Sequence, residues 1–146
     1  MTTRRLLCIA FLSTLAVLLW TSHPIHGEAA PPGPNPKRIL AGRYPLLAHF
    51  ADGQGDVQLV ARVSPVGSVQ NLQVVSGSGL LVEPAKEMLS RWIFEPCGVQ
   101  NCEATVTFHF VLDPGTCANS DCPTEVQVDL PGTVTIRSKH RPAIVN

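Results

Sequence analysis

Residues 90–102 read "SRWIFEPCGVQNC" and set Trp92, Ile93 and Phe94 side by side before Pro96, with four residues between Cys97 and Cys102. Upstream, Ala85, Met88, Leu89 and Trp92 recur at i, i+3, i+4 and i+7, the spacing of one helix face. Pro84 suits the first turn of such a helix, where a missing N–H costs nothing, and Glu83 puts an acid near its N-terminus. Glu87 and Arg91 can pair on the wet face at i, i+4. Pro96 stops helical continuation, because it lacks a donor and disfavours helical geometry in the residue before it. Trp92 is therefore expected as the last inward residue of the helix, with Ile93 and Phe94 carrying the chain onto a sheet.

Strands lie on both sides of this segment. Val57, Leu59, Ala61 and Val63 alternate with Gln58 and Arg62, and a second run over residues 69–75 sets Leu72 and Val74 against Asn71 and Gln73. The short "SPVGS" between them predicts an antiparallel hairpin. Residues 104–112 form the clearest strand, with Val106, Phe108, Phe110 and Leu112 on one face and Thr105, Thr107 and His109 on the other. Val126, Val128 and Leu130 alternate again, Pro131-Gly132 bends the chain, and Val134 and Ile136 resume the pattern. The expected fold is α+β: a small antiparallel sheet of three strands plus a C-terminal extension, packed by one main helix. Arg137, Lys139 and Arg141 are expected in an exposed basic tail.

The 146 residues suffice for one domain plus targeting sequence. Lys+Arg and Asp+Glu number 11 each, which argues against nucleic acid or an acidic surface as partner. Arg4 and Arg5 precede an uncharged run over residues 6–20, about the length of a signal-peptide core and short for a membrane span. Gly27 and Ala29 supply the small residues for cleavage after Ala29. Residues 1–29 thus read as an export signal, with an uncleaved anchor as the alternative and the only membrane contact. Residues 30–43 read as a proline-rich tether, 44–114 as the domain, and 115–146 as a β extension with its tail.

Four cysteines remain after the signal: Cys97, Cys102, Cys117 and Cys122. An even count in an exported chain points to disulfides. Zinc competes, but both spacings are C-x4-C, at the limit of the usual range. Residues 104–112 span roughly 30 Å as a strand, at about 3.4 Å per residue. Bridged Cα atoms must approach to roughly 4.4–6.8 Å. Cross-pairing is excluded by that length, leaving Cys97–Cys102 and Cys117–Cys122.

No catalytic or cofactor signature emerges. His23, His26, His49, His109 and His140 lack metal-ligand spacing. "SGSG" is not a nucleophile elbow, and the glycines of "ADGQGD" lack dinucleotide-binding spacing. Open sheets do have edges, and an edge offers unpaired N–H and C=O groups to an extended peptide.

The stretch over residues 44–96 resembles the C-terminal domain of the TonB family. The matching positions are Tyr44-Pro45, Gly55, Val57, Gly67, Val69, Ser76-Gly77, Ala85, and the W-x-F-x-P of Trp92, Phe94 and Pro96. The resemblance implies a non-catalytic envelope protein without a cofactor, in the periplasm or secreted, or else anchored in the inner membrane and facing the periplasm. Family members couple a proton-driven motor to outer-membrane transporters and grip a transporter peptide by adding it to their sheet. The implied partner is an envelope protein or extended peptide, an outer-membrane transporter among the candidates. By analogy the docking strand holds Thr105, Thr107, His109 and Val111. The two cysteine pairs and the segment beyond Asp113 are additions to the family pattern, and an added strand can cover the edge that a peptide uses.

Overall fold

A computed structural model describes residues 33–98, 102–118 and 121–142. The expected export signal, residues 1–29, lies outside the described residues. The elements are β1 (Pro36–Arg38), α1 (Leu46–Phe50), β2 (Gly55–Val63), β3 (Val69–Ser76), α2 (Gly79–Ser90), β4 (Ile93–Phe94), β5 (Cys102–Thr116), β6 (Glu125–Asp129) and β7 (Thr133–His140). Five strands form one sheet in the order β3-β2-β5-β7-β6, while β1 and β4 pair separately.

The α+β class is as expected, but the sheet is larger and is mixed rather than purely antiparallel. β2 pairs antiparallel with β3 and β5, and β6 with β7, whereas β5 and β7 run parallel. The cause lies in the C-terminal hairpin. β6 runs back against β5 in direction, β7 returns, and β7 rather than β6 takes the place beside β5. With eight residues against five, β7 covers more of β5. Val134 and Ile136 from β7 are fully buried, so the hairpin contributes to the core instead of extending past it.

The core fills the space between α2 and one face of the sheet. Val57, Leu59, Ala61 and Val63 point inward from β2, as do Val106, Phe108 and Phe110 from β5. Leu81, Ala85, Met88 and Leu89 face them from α2. Aromatic rings link the layers: Trp92 lies 6.0 Å from Phe94 and from Phe108, ring centre to ring centre, and Tyr44 meets Phe110 edge-on at 5.8 Å.

Two local expectations need correction. α2 begins at Gly79, so Pro84 sits in its interior instead of its first turn. Leu81 explains the earlier start, because it adds a buried position one turn before Ala85. The helix also ends at Ser90, and Trp92 follows in the turn, its backbone N–H donating to Leu89 O at 3.1 Å. Its indole Nε1–H donates to Leu40 O at 3.2 Å, which ties Leu40 to the turn after the helix.

The proline-rich tether is correspondingly shorter than expected. Pro36 and Arg38 pair with Phe94 and Ile93, and Glu95 N–H donates to Asn35 O at 2.8 Å. A segment without apolar periodicity joins the fold because β4 offers it a backbone ladder, which hydropathy patterning does not register. The basic tail is likewise partly strand. Arg137 and Lys139 belong to β7, Arg137 pairs with Asp113 at 2.8 Å, and Arg141 lies over the Phe50 ring at 4.6 Å.

Both disulfides join the expected partners, Cys97 to Cys102 and Cys117 to Cys122. The second closes the β5–β6 connection, which must step across the width of β7 (two strand spacings, roughly 10 Å). Cys117 N–H donates to His140 O at 2.9 Å, tying that connection to the end of β7.

Candidate functional site

β5 carries Thr105, Thr107, His109 and Val111 on the sheet face opposite the helix, as the alternation predicts. It does not present them on a free edge. β2 pairs with one side of β5 from Cys102 to Phe110, and β7 pairs with the other from Thr107 to Thr116. Thr107 N–H donates to Gly132 O at 2.8 Å, and a Cβ on Gly132 would fall 2.3 Å from Thr105 O. The expected docking edge is therefore occupied by the chain itself from Thr107 onward, while β7 does not pair with Thr105. The physical reason is the buried pair Val134 and Ile136, which gains more by packing beside Phe108 and Phe110 than by trailing in water.

The hairpin is fastened from several directions. His49 Nε2 lies 2.6 Å from Lys139 O; since a carbonyl only accepts, Nε2 carries the proton. His140 Nδ1 meets Asp52 at 2.7 Å, Ser138 Oγ donates to Pro123 O at 3.0 Å, and Tyr44 N–H donates to Thr124 Oγ1 at 3.1 Å. Tyr44 also donates its hydroxyl to Gly53 O at 2.7 Å. Burial and then the nearby Asp52 carboxylate push the Tyr44 phenol up to about 12. His109 pairs across the strands with Asp56 at 2.6 Å, on the open face.

The remaining family-pattern residues serve the frame. Gly67 has φ +95°, and a Cβ there would lie 2.1 Å from Phe94 O, so the hairpin turn needs its glycine to reach β4. Phe94 N–H returns a bond to Gly67 O at 2.8 Å. Pro45 is the N-cap of α1, Gly55 opens β2 at φ +134°, and Val69 opens β3. Ser76 ends β3, and Gly77 turns it at φ +144° against Val57. Ala85 is buried, Trp92 and Phe94 lie in the core, and Pro96 leaves β4 for the first disulfide loop.

With β5 enclosed, the sheet's outer strands are β3 and β6. β6 is short, carries Glu125 and Asp129, and is flanked by Pro123 and Pro131, features that discourage strand addition. β3 is longer and has no charge or proline in its eight residues. Its pairing to β2 shifts register near each end, which leaves residues 71–74 as the regular stretch. Val74, at the end of that stretch, and Val75 beyond it are 43% and 53% exposed.

Next to this strand runs an open groove of about 960 Å³, lined by Leu72 of β3, Leu80, Glu83, Pro84 and Glu87 of α2, and Leu46 and Leu47 of α1 among others. The sequence reading missed it. A signal existed: Leu46, Leu47 and Phe50 crowd a helix of five residues that buries Ala48 and His49 instead. Three large apolar side chains are then left outside, a pattern that marks contact surfaces. Among the described residues no group of three or more His, Cys, Asp or Glu could hold a metal, and no helix is long and apolar enough to cross a membrane.

Residues 41–112 match the model of the Gram-negative bacterial TonB protein C-terminal family, and the domain formed by this stretch belongs to that family. It is a periplasmic family of protein-interacting, non-enzymatic domains. The chain is also similar to the TonB C-terminal domain of Pseudomonas aeruginosa, solved in solution by NMR. That likeness has 22% identity, a TM-score of 0.47, and coverage of 56% of this chain and 88% of the other. No curated protein matches the chain. The match ends at Leu112, so the β6–β7 hairpin that closes β5 lies wholly beyond the family region.

Proposed function

We propose that the chain is an exported, non-catalytic binding module of the cell envelope that takes an extended segment of another envelope protein by strand addition, with the added strand on β3. The observation that carries this reading is the contrast among edges: β5 lies inside the sheet and is paired on both sides over Thr107–Phe110, β6 is short and acidic, and β3 is long and uncharged. Unpaired backbone groups on such an edge recognise any extended chain, and neighbouring side chains supply selectivity. Residues 1–29 direct export and are cut after Ala29, leaving a periplasmic or secreted protein. An outer-membrane transporter is one candidate partner.

A photo-crosslinking amino acid placed at Gln73, Thr107 or Gln127 in the exported protein tests this. Crosslinks from Gln73 mapping to one extended segment of an envelope protein are expected, with none from Thr107 or Gln127. Crosslinks confined to Gln127, or absent at all three, contradict the reading and favour a purely structural domain.

The energy-transducer alternative requires an uncleaved N-terminal run and enough tether to reach the outer membrane. Pairing of β1 with β4 weighs against it, because only residues 30–34 precede the folded part outside the signal. Five extended residues span about 17 Å. N-terminal sequencing that finds Met1 instead of Ala30 would revive it.

A further inference from the structure

We infer that the groove between α1 and α2 is the side-chain subsite of a peptide site, and that its occupant is an uncharged, apolar, extended peptide segment of the partner. The inference rests on the strand-addition reading above and specifies what the partner must look like. Three observations carry it.

The apolar lining comes first. Leu46, Leu47 and Leu80 are 58%, 71% and 43% exposed and share one groove with Leu72, the residue through which it reaches β3. Sheet edge and groove thus form one continuous surface, suited to a chain whose backbone pairs and whose side chains seek apolar contact.

Charge selects the occupant. Arg43, Glu83, Lys86 and Glu87 line the groove, and each has an opposite partner within the protein. Arg43 meets Asp121 at 3.6 Å, Lys86 meets Glu83 at 2.9 Å, and Arg91 holds Glu87. β3 adds no charge. A charged peptide would lose hydration at the groove and find no unpaired counter-charge, whereas a neutral one meets no such penalty.

The backbone of α2 supplies the third observation. Pro84 lies inside the helix and has no N–H, so the Leu80 carbonyl has no i+4 donor. Leu80 and Pro84 both line the groove. The inference places a backbone amide of the bound segment on that carbonyl, a contact that an apolar surface alone would not offer.

The test uses the exported full-length protein and two synthetic peptides, acetyl-Leu-Val-Leu-Val-amide and its acetyl-Leu-Glu-Leu-Glu-amide counterpart, followed by methyl and amide NMR shifts. The neutral peptide should shift the Leu46, Leu47, Leu72 and Leu80 methyls, and the acidic one should bind at least tenfold more weakly. Leu47→Glu, at an exposed site, should abolish the shifts while circular dichroism stays unchanged. Pro84→Ala gives Leu80 O an internal donor, so it should raise the melting temperature yet weaken the neutral peptide about fivefold. Equal binding of both peptides, or shifts that miss the four leucines, overturns the inference. Gln73 crosslinks that persist in Leu47→Glu also overturn it while leaving strand addition on β3 intact. Loss of crosslinks in the unaltered protein instead removes the strand-addition reading itself.

Discussion

Two hairpins flank β5, and they use it in opposite ways. In the first, the strand beside β5 is β2, which runs antiparallel to it and places Val57, Leu59, Ala61 and Val63 in the core. Its partner β3 is mostly exposed. In the second, the strand beside β5 is β7, running parallel and burying Val134 and Ile136, with β6 left outside. The first hairpin lies within the family region and the second beyond it. The difference teaches that one strand can be enclosed by adding a hairpin whose inner member differs in direction, and that enclosure transfers the open edge to the far side of the sheet.

Removing core volume beside the central strand β5 should have the largest effect. Trp92 is 1% exposed and touches the aromatic cluster on β4 and β5. Trp92→Ala should destabilise the protein by about 3–5 kcal/mol in chemical denaturation. An unchanged midpoint would contradict the packing of Trp92 against β4 and β5.

Ile136→Ala sharpens the comparison more directly, because Ile136 is fully buried in β7. A loss of about 2–5 kcal/mol in a single transition is expected if the second hairpin is core. A loss below about 0.5 kcal/mol would class it as an appendage.

Opening the β5–β6 connection should matter less. Cys117→Ser with Cys122→Ser should cost about 2 kcal/mol on the chain-entropy model for so short a loop. The same double change at Cys97 and Cys102 should cost a similar amount but leave the second hairpin's amide protection intact.

The last effect is a titration that contributes no change at neutral pH. Tyr44 ties the segment before α1 to Thr124, just before β6, and its phenol is pushed up to about 12 by burial and then Asp52. The folded state therefore keeps its proton where the unfolded chain has lost it. The stabilising contribution is complete below about pH 10 and falls as pH rises from there toward 12. Tyr44→Phe should flatten that alkaline decline; an unaltered slope would assign it elsewhere.

Much of this architecture was legible in the residues. Period-two alternation marked β2, β3, β5, β6 and β7, and the i, i+3, i+4, i+7 row marked α2. Strand length sorted the disulfides, since β5 separates the two pairs. Strand order was not legible, because Val126 and Val128 alternate as cleanly as Val134 and Ile136. Alternation says which face is buried but not which neighbour pairs. The joining of Pro36–Arg38 to β4 was equally hidden, being a matter of backbone bonds without apolar pattern. The groove escaped notice because an excess of leucines on a short helix is visible only once its buried face is known.

The enclosure of β5 by β7 is the central claim, and amide hydrogen exchange at Thr107 tests it most directly. Donation to Gly132 O predicts an amide that exchanges only through global unfolding and is unaffected by added peptide. Exchange at the rate of an open edge, slowed when a peptide is added, would contradict it and return the docking site to β5.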